Sequence, residues 1–294
     1  MTLPLIPVGL LPISAASGLV ALQGRLWTVA DDETVLFGSS PDGRWDERIE
    51  LVPDRLPADP AARKRRKPDF ESIAVLPDDR LLVLGSGSTP TRRRGVVVDL
   101  RARLARVIDL TPLFLVLEAE IAALNIEGAV VQGGTLYLAQ RGNGARTPGP
   151  SGEGGLARNA LVRLDLRRVL ASIPRTEIGA DALAAILPVA LPGLEGVPLG
   201  LTDLASDGTD LYFAAAAEDS ESTYDDGACL GSALGRLSPD GAVTALRSLE
   251  GRSKIEGLAL KRTGASGLRA WLVSDPDDRA VRARLFRIEA LDLD

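Results

Sequence analysis

Histidine is absent from this chain, and cysteine occurs once, at Cys229. Without histidine there can be no Ser-His-Asp triad, no imidazole acid–base catalysis and no imidazole-ligated metal. A single thiol excludes an intrachain disulfide and a cysteine-rich zinc site. Any chemistry must therefore rest on carboxylates, hydroxyls, arginine, lysine or a metal held by oxygen. Long apolar runs are missing too, and none nears the roughly 20 residues that cross a bilayer. The opening MTLPLIPVGL has two early prolines and no basic residue. It reads as a strand and not as a secretion signal, so a cytoplasmic location with no membrane partner is expected. Base is in short supply as well. With 34 Lys and Arg against 40 Asp and Glu, the net charge of −6 argues against a nucleic-acid partner, whose phosphates need a basic face.

What the chain does have is a repeat. Ser17-Gly-Leu-Val, Glu71-Ser-Ile-Ala, Glu127-Gly-Ala-Val, Thr202-Asp-Leu-Ala and Glu256-Gly-Leu-Ala set an oxygen-bearing side chain before a small or turn-forming residue and an apolar pair. The key positions lie 54, 56, 75 and 54 residues apart, and passing from Glu256 through the chain ends back to Ser17 takes another 55. A linear array has no reason to keep its period across its own ends, but a closed ring does. The spacing predicts an all-β fold, a five-bladed β-propeller of four-stranded antiparallel blades, spanning residues 1–294 as one domain.

Within each period, apolar or alternating runs of strand length are punctuated by turn signals such as Gln23-Gly24, Pro77-Asp78-Asp79 and Pro239-Asp240-Gly241. Blade three is longer than the others. It carries a Gly/Pro-rich loop over residues 141–158 and a stretch of helical character over 166–187, of which the Ala-rich 180–187 predicts a short helix. Blade five lacks a fourth strand before the chain ends. Residues 3–8 are the spare strand, expected to complete it and close the ring. Trp27, Tyr137, Tyr212 and Trp271 recur at the matching second-strand position of four blades, which predicts packing between blades.

The first strand of a propeller blade lines the central channel, so Ser17, Glu71, Glu127, Thr202 and Glu256 should meet near one axis. Three carboxylates converging there either take up protons or hold a cation. Oxygen-only ligands in a wide ring suit Ca²⁺, with Mg²⁺ the tighter alternative. The competing reading is that these side chains cap turns at strand starts. Polar loops should share that face: Asp31-Asp32-Glu33, the basic run 63–67, Arg92-Arg93-Arg94, Arg141, the acidic group Glu218, Asp219, Glu221, Asp225 and Asp226, and Asp275, Asp277 and Asp278. Guanidinium forks match phosphate, so Arg92, Arg93, Arg94 and Arg141 are candidates for binding a small phosphorylated molecule. The bland reading is that the charge runs are solvated loops.

With these residues in view, the chain resembles the calcium-activated nucleotidase (apyrase) family. The ring Ser17, Glu71, Glu127, Thr202, Glu256 is similar to that family's Ser, Glu, Glu, Ser, Glu pattern. So are the stretches Gly24-Arg25-Leu26-Trp27, Gly200-Leu201-Thr202-Asp203 and Lys254-Ile255-Glu256-Gly257. The resemblance implies a five-bladed propeller with Ca²⁺ at its centre and hydrolysis of nucleoside di- or triphosphates, with a functional arginine-containing segment where Arg141 stands. Two functions stay open at this point: a metal-dependent phosphohydrolase, with catalytic residues unassigned, and a non-catalytic binding or scaffold propeller whose ion is structural. The oligomeric state is not legible.

Overall fold

Each copy of the repeat opens the innermost strand of one antiparallel sheet, and five such sheets form a ring. The computed structural model describes residues 2–142, 146–148, 154–156, 158–219, 228–264 and 267–293. Blade one consists of Ala16–Leu22, Arg25–Ala30, Val35–Ser39 and Trp45–Glu50, and blade two of Phe70–Val75, Leu81–Gly85, Arg94–Asp99 and Leu104–Asp109. Blade three is Ile126–Gln132, Thr135–Gln140, Ala160–Asp165 and Leu183–Pro188. Blade four is Val197–Ser206, Leu211–Asp219, Ala228–Leu237 and Val243–Ser248, with the two-residue strand Gly193–Leu194 added on its inner side. Blade five takes Ile255–Thr263, Gly267–Ser274 and Arg284–Ile288 from the C-terminal end and Ile6–Leu10 from the N-terminal end. The hairpins follow local chemistry. Gln23 and Gly24 have φ of 54° and 75°, the left-handed pair that a two-residue turn needs to match strand twist.

The core is divided among the five gaps between neighbouring blades. Trp27 packs with Ile73, Leu81 and Val83 of blade two, and Tyr137 with Leu199, Leu204 and Phe213 of blade four. Tyr212 packs with Ile255 and Leu272 of blade five, and Trp271 with Leu19 and Phe37 of blade one. The recurring aromatic is thus the interblade wedge, as its position suggested. Blade two has Leu82 there, in the fifth cluster shared with blade three.

Residues 166–187 depart from expectation. A helix forms at Leu166–Ser172, where the Asp165 carboxylate accepts from the amides of Arg167 and Arg168. The Ala-rich stretch is not a helix. After a single 3₁₀ turn at Ala180–Ala182 it becomes the outer strand Leu183–Pro188, paired with Ala160–Leu164. The open edge of blade three supplies a ladder of hydrogen bonds, and that tertiary pairing overrides the high helix propensity of alanine, which over so short a stretch is a weak determinant. Two helices carried no expectation. Thr111–Glu120 connects blades two and three, and Pro60–Arg66 connects blades one and two. The second contains the basic run, with Asp59 as its cap, Pro60 in its first turn and its arginines and lysine in the last turn, where cations suit the helix dipole.

The ring closes by the N-terminal strand. Ile6–Leu10 pairs antiparallel with Arg284–Ile288, from Ile6 opposite Arg287 to Leu10 opposite Arg284. Upstream of it, the Leu3 amide donates to the Ser248 carbonyl (2.8 Å) and its carbonyl accepts from Glu250 (2.9 Å), so the same segment straps blade four. Deleting residues 2–10 should therefore bare the edge of blade five and cut both ties. A domain of this size loses about 2–4 °C of melting temperature per kcal/mol. We expect a fall of more than about 5 °C by scanning calorimetry, and an unchanged midpoint would contradict closure by this strand.

Candidate functional site

A one-residue bulge marks the motif in every blade. The register between the first and second strands slips at Glu71, Glu127, Thr202 and Glu256, and across Ser17 and Gly18 in blade one. A bulge leaves its extra residue out of the ladder and re-aims its side chain. The small residue that follows has a separate cause, the close approach of neighbouring inner strands. A Cβ on Gly128 would lie 2.7 Å from the Leu204 nitrogen, and one on Gly257 would lie 2.9 Å from the Leu19 Cβ.

Blade four breaks that rule with Asp203, a residue that sequence reasoning passed over. Its carboxylate accepts from the backbone amides of Leu204 (2.8 Å), Leu258 (2.7 Å) and Leu19 (3.3 Å). One side chain thus ties blades four, five and one at the channel. Burial pushes its carboxyl well above the usual range despite the three amides. The signal available in the sequence was an acid at a position where the other copies have glycine or serine.

Above Asp203 the five key residues divide into two groups. Glu127 and Glu256 share one nitrogen of Arg141, Nη1, at 2.9 and 3.3 Å, and the other guanidinium nitrogen contacts Glu218. Lys254 lies 2.7 Å from Glu218, 3.2 Å from Glu256 and 2.7 Å from Asp277. Burial pushes the Glu127 carboxyl up to about 8, ahead of the opposing pull of Arg141. Burial acts the same way on Glu218, but Arg141 and Lys254 together bring that carboxyl below its ordinary value. Thr202 turns its hydroxyl to the Ile255 carbonyl, 2.7 Å away. On this side of the mouth the cations are protein side chains.

The other group lies between blades one and two. The Ser17 hydroxyl donates to Glu71 at 2.8 Å. Asp31, Asp69 and Glu71 each present an oxygen, and the three oxygens lie within 4.8 Å of one another. Asp31 follows the second strand of blade one, and Asp69 precedes the first strand of blade two in the left-handed region, φ 57°. Lys67, at the end of the basic helix, contacts Asp31 and lies 2.8 Å from Asp69, and Arg92 lies 2.8 Å from Asp69. The second oxygen of Asp31, Oδ1, is buried and has no hydrogen-bond partner among the described residues. Burial, offset in part by Lys67, raises the Asp31 carboxyl to about 6. Burial followed by repulsion from Asp69 and Asp31 raises Glu71 well above its usual range. A cavity of about 220 Å³ opens beside this group, between Asp31, Lys67 and Asp275. Burial holds the Asp275 carboxyl up near 8.

The arginines considered for phosphate are engaged by acids. Arg141 is buried in the carboxylate group just described, and Arg92 is on Asp69 and Ser88. Arg93 forks onto Glu118 of the helix Thr111–Glu120 at 2.6 Å, and Arg94 lies 3.8 Å from Asp54. Arg63, from the basic run, donates to the Asp32 carbonyl and to Glu33. Of the acidic group, Glu221, Asp225 and Asp226 lie outside the described residues, as does most of the loop after Gly142.

The ring of five four-stranded blades with an acidic, partly neutralised axial mouth defines a five-bladed β-propeller. Within that class the chain belongs to a family of unknown function (DUF6929), whose model matches residues 12–290. No curated protein matches it. Among solved structures it is similar to glutaminyl cyclase from Myxococcus xanthus, at 13% identity and a TM-score of 0.52 over 99% of this chain and 100% of that one. It is also similar to a calcium-binding protein, regucalcin, from Agrobacterium tumefaciens, at 12% identity and a TM-score of 0.51 over 98% and 95%. At such identity the likeness is one of fold. No helix among the described residues is long and apolar enough to cross a membrane.

Proposed function

We propose that this propeller binds a divalent cation, of the Ca²⁺ class, between blades one and two at the channel mouth. Asp31, Asp69, Glu71 and the Ser17 hydroxyl would hold it. The observation that carries this reading is the meeting of three carboxylate oxygens within 4.8 Å, beside a buried Asp31 oxygen that no donor satisfies. Carboxylates packed so closely out of water repel one another, and a hard cation relieves both the repulsion and the unmet acceptor. The donor set is all oxygen, as a chain without histidine requires, and the rest of a six- to eightfold shell would come from carbonyls and water. The similar calcium-binding regucalcin fold is compatible with it and adds no residue assignment. Glu127, Thr202 and Glu256 stand outside the ligand set, because Arg141, Lys254 and a backbone carbonyl already engage them.

An ion in this place joins two blades, so its first role is to hold the ring. The resemblance to calcium-activated nucleotidases would extend the reading to hydrolysis of a phosphate ester, and the resemblance is its only support. Lys67 is the resident competitor, since it contacts two of the three acids. The site is therefore an exchange between one lysine ammonium and one divalent ion.

Calorimetric melting with Ca²⁺ or Mg²⁺ against a chelator tests this. At a hundredfold excess over Kd the ion should stabilise by about 2.7 kcal/mol, or roughly 5–10 °C. Asp69→Asn and Glu71→Gln should lose that gain. The pH dependence has a definite sign. A carboxyl raised to about 6 in the folded protein contributes stability below its unfolded value, and loses it as pH climbs through 6. Glu127 and Asp275 lose theirs through about 8. The chelated protein should thus melt lower at pH 8.5 than at pH 5.5. The gain from Ca²⁺ should be larger at pH 8.5, where protons no longer compete. No response to either ion at pH 8.5 would sink the reading and leave Lys67 and Arg92 as the cations that meet these acids.

A further inference from the structure

A second cavity, of about 390 Å³, opens on the same face between blades four and five. Its charged lining is Arg252, Lys254, Arg282 and Arg284 against Asp275 and Asp277. Lys254 is committed to Glu218, Glu256 and Asp277, so the arginines carry the cavity's available positive charge. The three arginines are lightly committed, unlike Arg63, Arg92, Arg93 and Arg141. Arg282 spends its Nε on the Leu11 carbonyl, and among the described residues both terminal nitrogens of its fork have no partner. Arg252 meets Glu195 only at 3.4 Å, where both side chains are nearly two-thirds exposed and such a pair contributes little. Among the described residues the Arg284 guanidinium has no hydrogen-bond or ion-pair partner, while its backbone amide is pinned to the Ser274 hydroxyl at 3.2 Å. Val281, 44% exposed, adds an apolar surface beside these charges.

We propose that this cavity is a binding site for a small organic phosphate, a phosphate monoester whose dianion lies against Arg282 and Arg284 and whose apolar part covers Val281. The volume is in the range of small-molecule sites. Two guanidinium forks match a dianion that offers three oxygens, and do so better than a single carboxylate. Asp275 and Asp277 line both cavities, but Arg282 and Arg284 are not ligands of the cation site, and neither Asp69 nor Glu71 lines this cavity.

The only cysteine of the chain, Cys229, lines the same cavity and makes it measurable. Alkylation followed by intact mass at pH 8.5 would compare iodoacetate, an anion, with iodoacetamide, which is neutral. Burial pushes the thiol up to about 11, so both reactions are slow enough to time by hand. In the parent protein the iodoacetate-to-iodoacetamide rate ratio should exceed that of the Arg282→Ala/Arg284→Ala variant several-fold. Phenyl phosphate should protect Cys229 from both reagents, and the concentration needed should rise about tenfold or more in the variant, as expected for lost charge-assisted contacts. Both arginines are exposed, so the variant should fold, which its melting curve checks. Equal rate ratios in the two proteins, or no protection by phenyl phosphate, would overturn the site. Protection by benzoate at the same concentration as phenyl phosphate would overturn its assignment to phosphate.

Discussion

Replacing Arg141 by alanine should cost about 3–5 kcal/mol of stability, the range for removing one partner from a buried ion pair. The side chain is 8% exposed and faces Glu127, Glu218 and Glu256, which are buried to the same degree. Without it, among the described residues only Lys254 remains near Glu218 and Glu256, and Glu127 retains a single neutral donor, the Asn125 amide at 2.6 Å. Urea unfolding followed by circular dichroism would measure the loss. The mechanism carries its own control. If the loss comes from orphaned carboxylates, the variant should recover part of it on adding Glu127→Gln and part on adding Glu218→Gln. A loss of under about 1 kcal/mol, or one indifferent to both changes, would show that Arg141 is an ordinary loop residue. The position also limits what Arg141 can do for a ligand. Its guanidinium would have to leave three glutamates before meeting a phosphate.

The second large effect is expected at Asp203. Alanine there strands the amides of Leu19, Leu204 and Leu258, and each buried polar group left unpaired costs about 1–3 kcal/mol. We expect a loss of at least about 3 kcal/mol in denaturant unfolding, concentrated at the junction of blades one, four and five. Amide hydrogen exchange locates it. Protection of Leu19 and Leu258 should fall in Asp203→Ala, while amides in the first strands of blades two and three keep theirs. Uniform loss across all five blades would argue for general loosening and against a local tie. Serine at this position, as blade two carries at Ser72, fits the space but does not reach three amides.

The architecture was legible because a propeller is written as a period. Five copies of a short motif with nearly equal spacing across the chain ends imply a ring, and a missing last strand implies closure by the first residues. The aromatic wedge was legible for the same reason, since equivalent positions repeat one packing environment. The places of Glu71, Glu127, Thr202 and Glu256 in the channel follow from the motif, and each is the residue at which the ladder slips.

Local sequence does not report which partner a side chain finds, and there the tertiary structure decided. Ala180–Ala182 and the strand after it look helical until the open edge of blade three is beside them. The basic run looks like a solvated loop until its capped helix lays Arg63 on Asp32 and Glu33, and brings Lys67 to Asp31 and Asp69. Residues 14 positions apart join Arg141 to Glu127, but 77 and 115 positions separate it from Glu218 and Glu256. No pattern along the chain couples those distances. The motif determined that acids gather at the axis. Whether each acid meets a lysine, an arginine or an unfilled space was decided by how the blade-connecting loops fold over the mouth, because charge at a buried site is settled by neighbours in space.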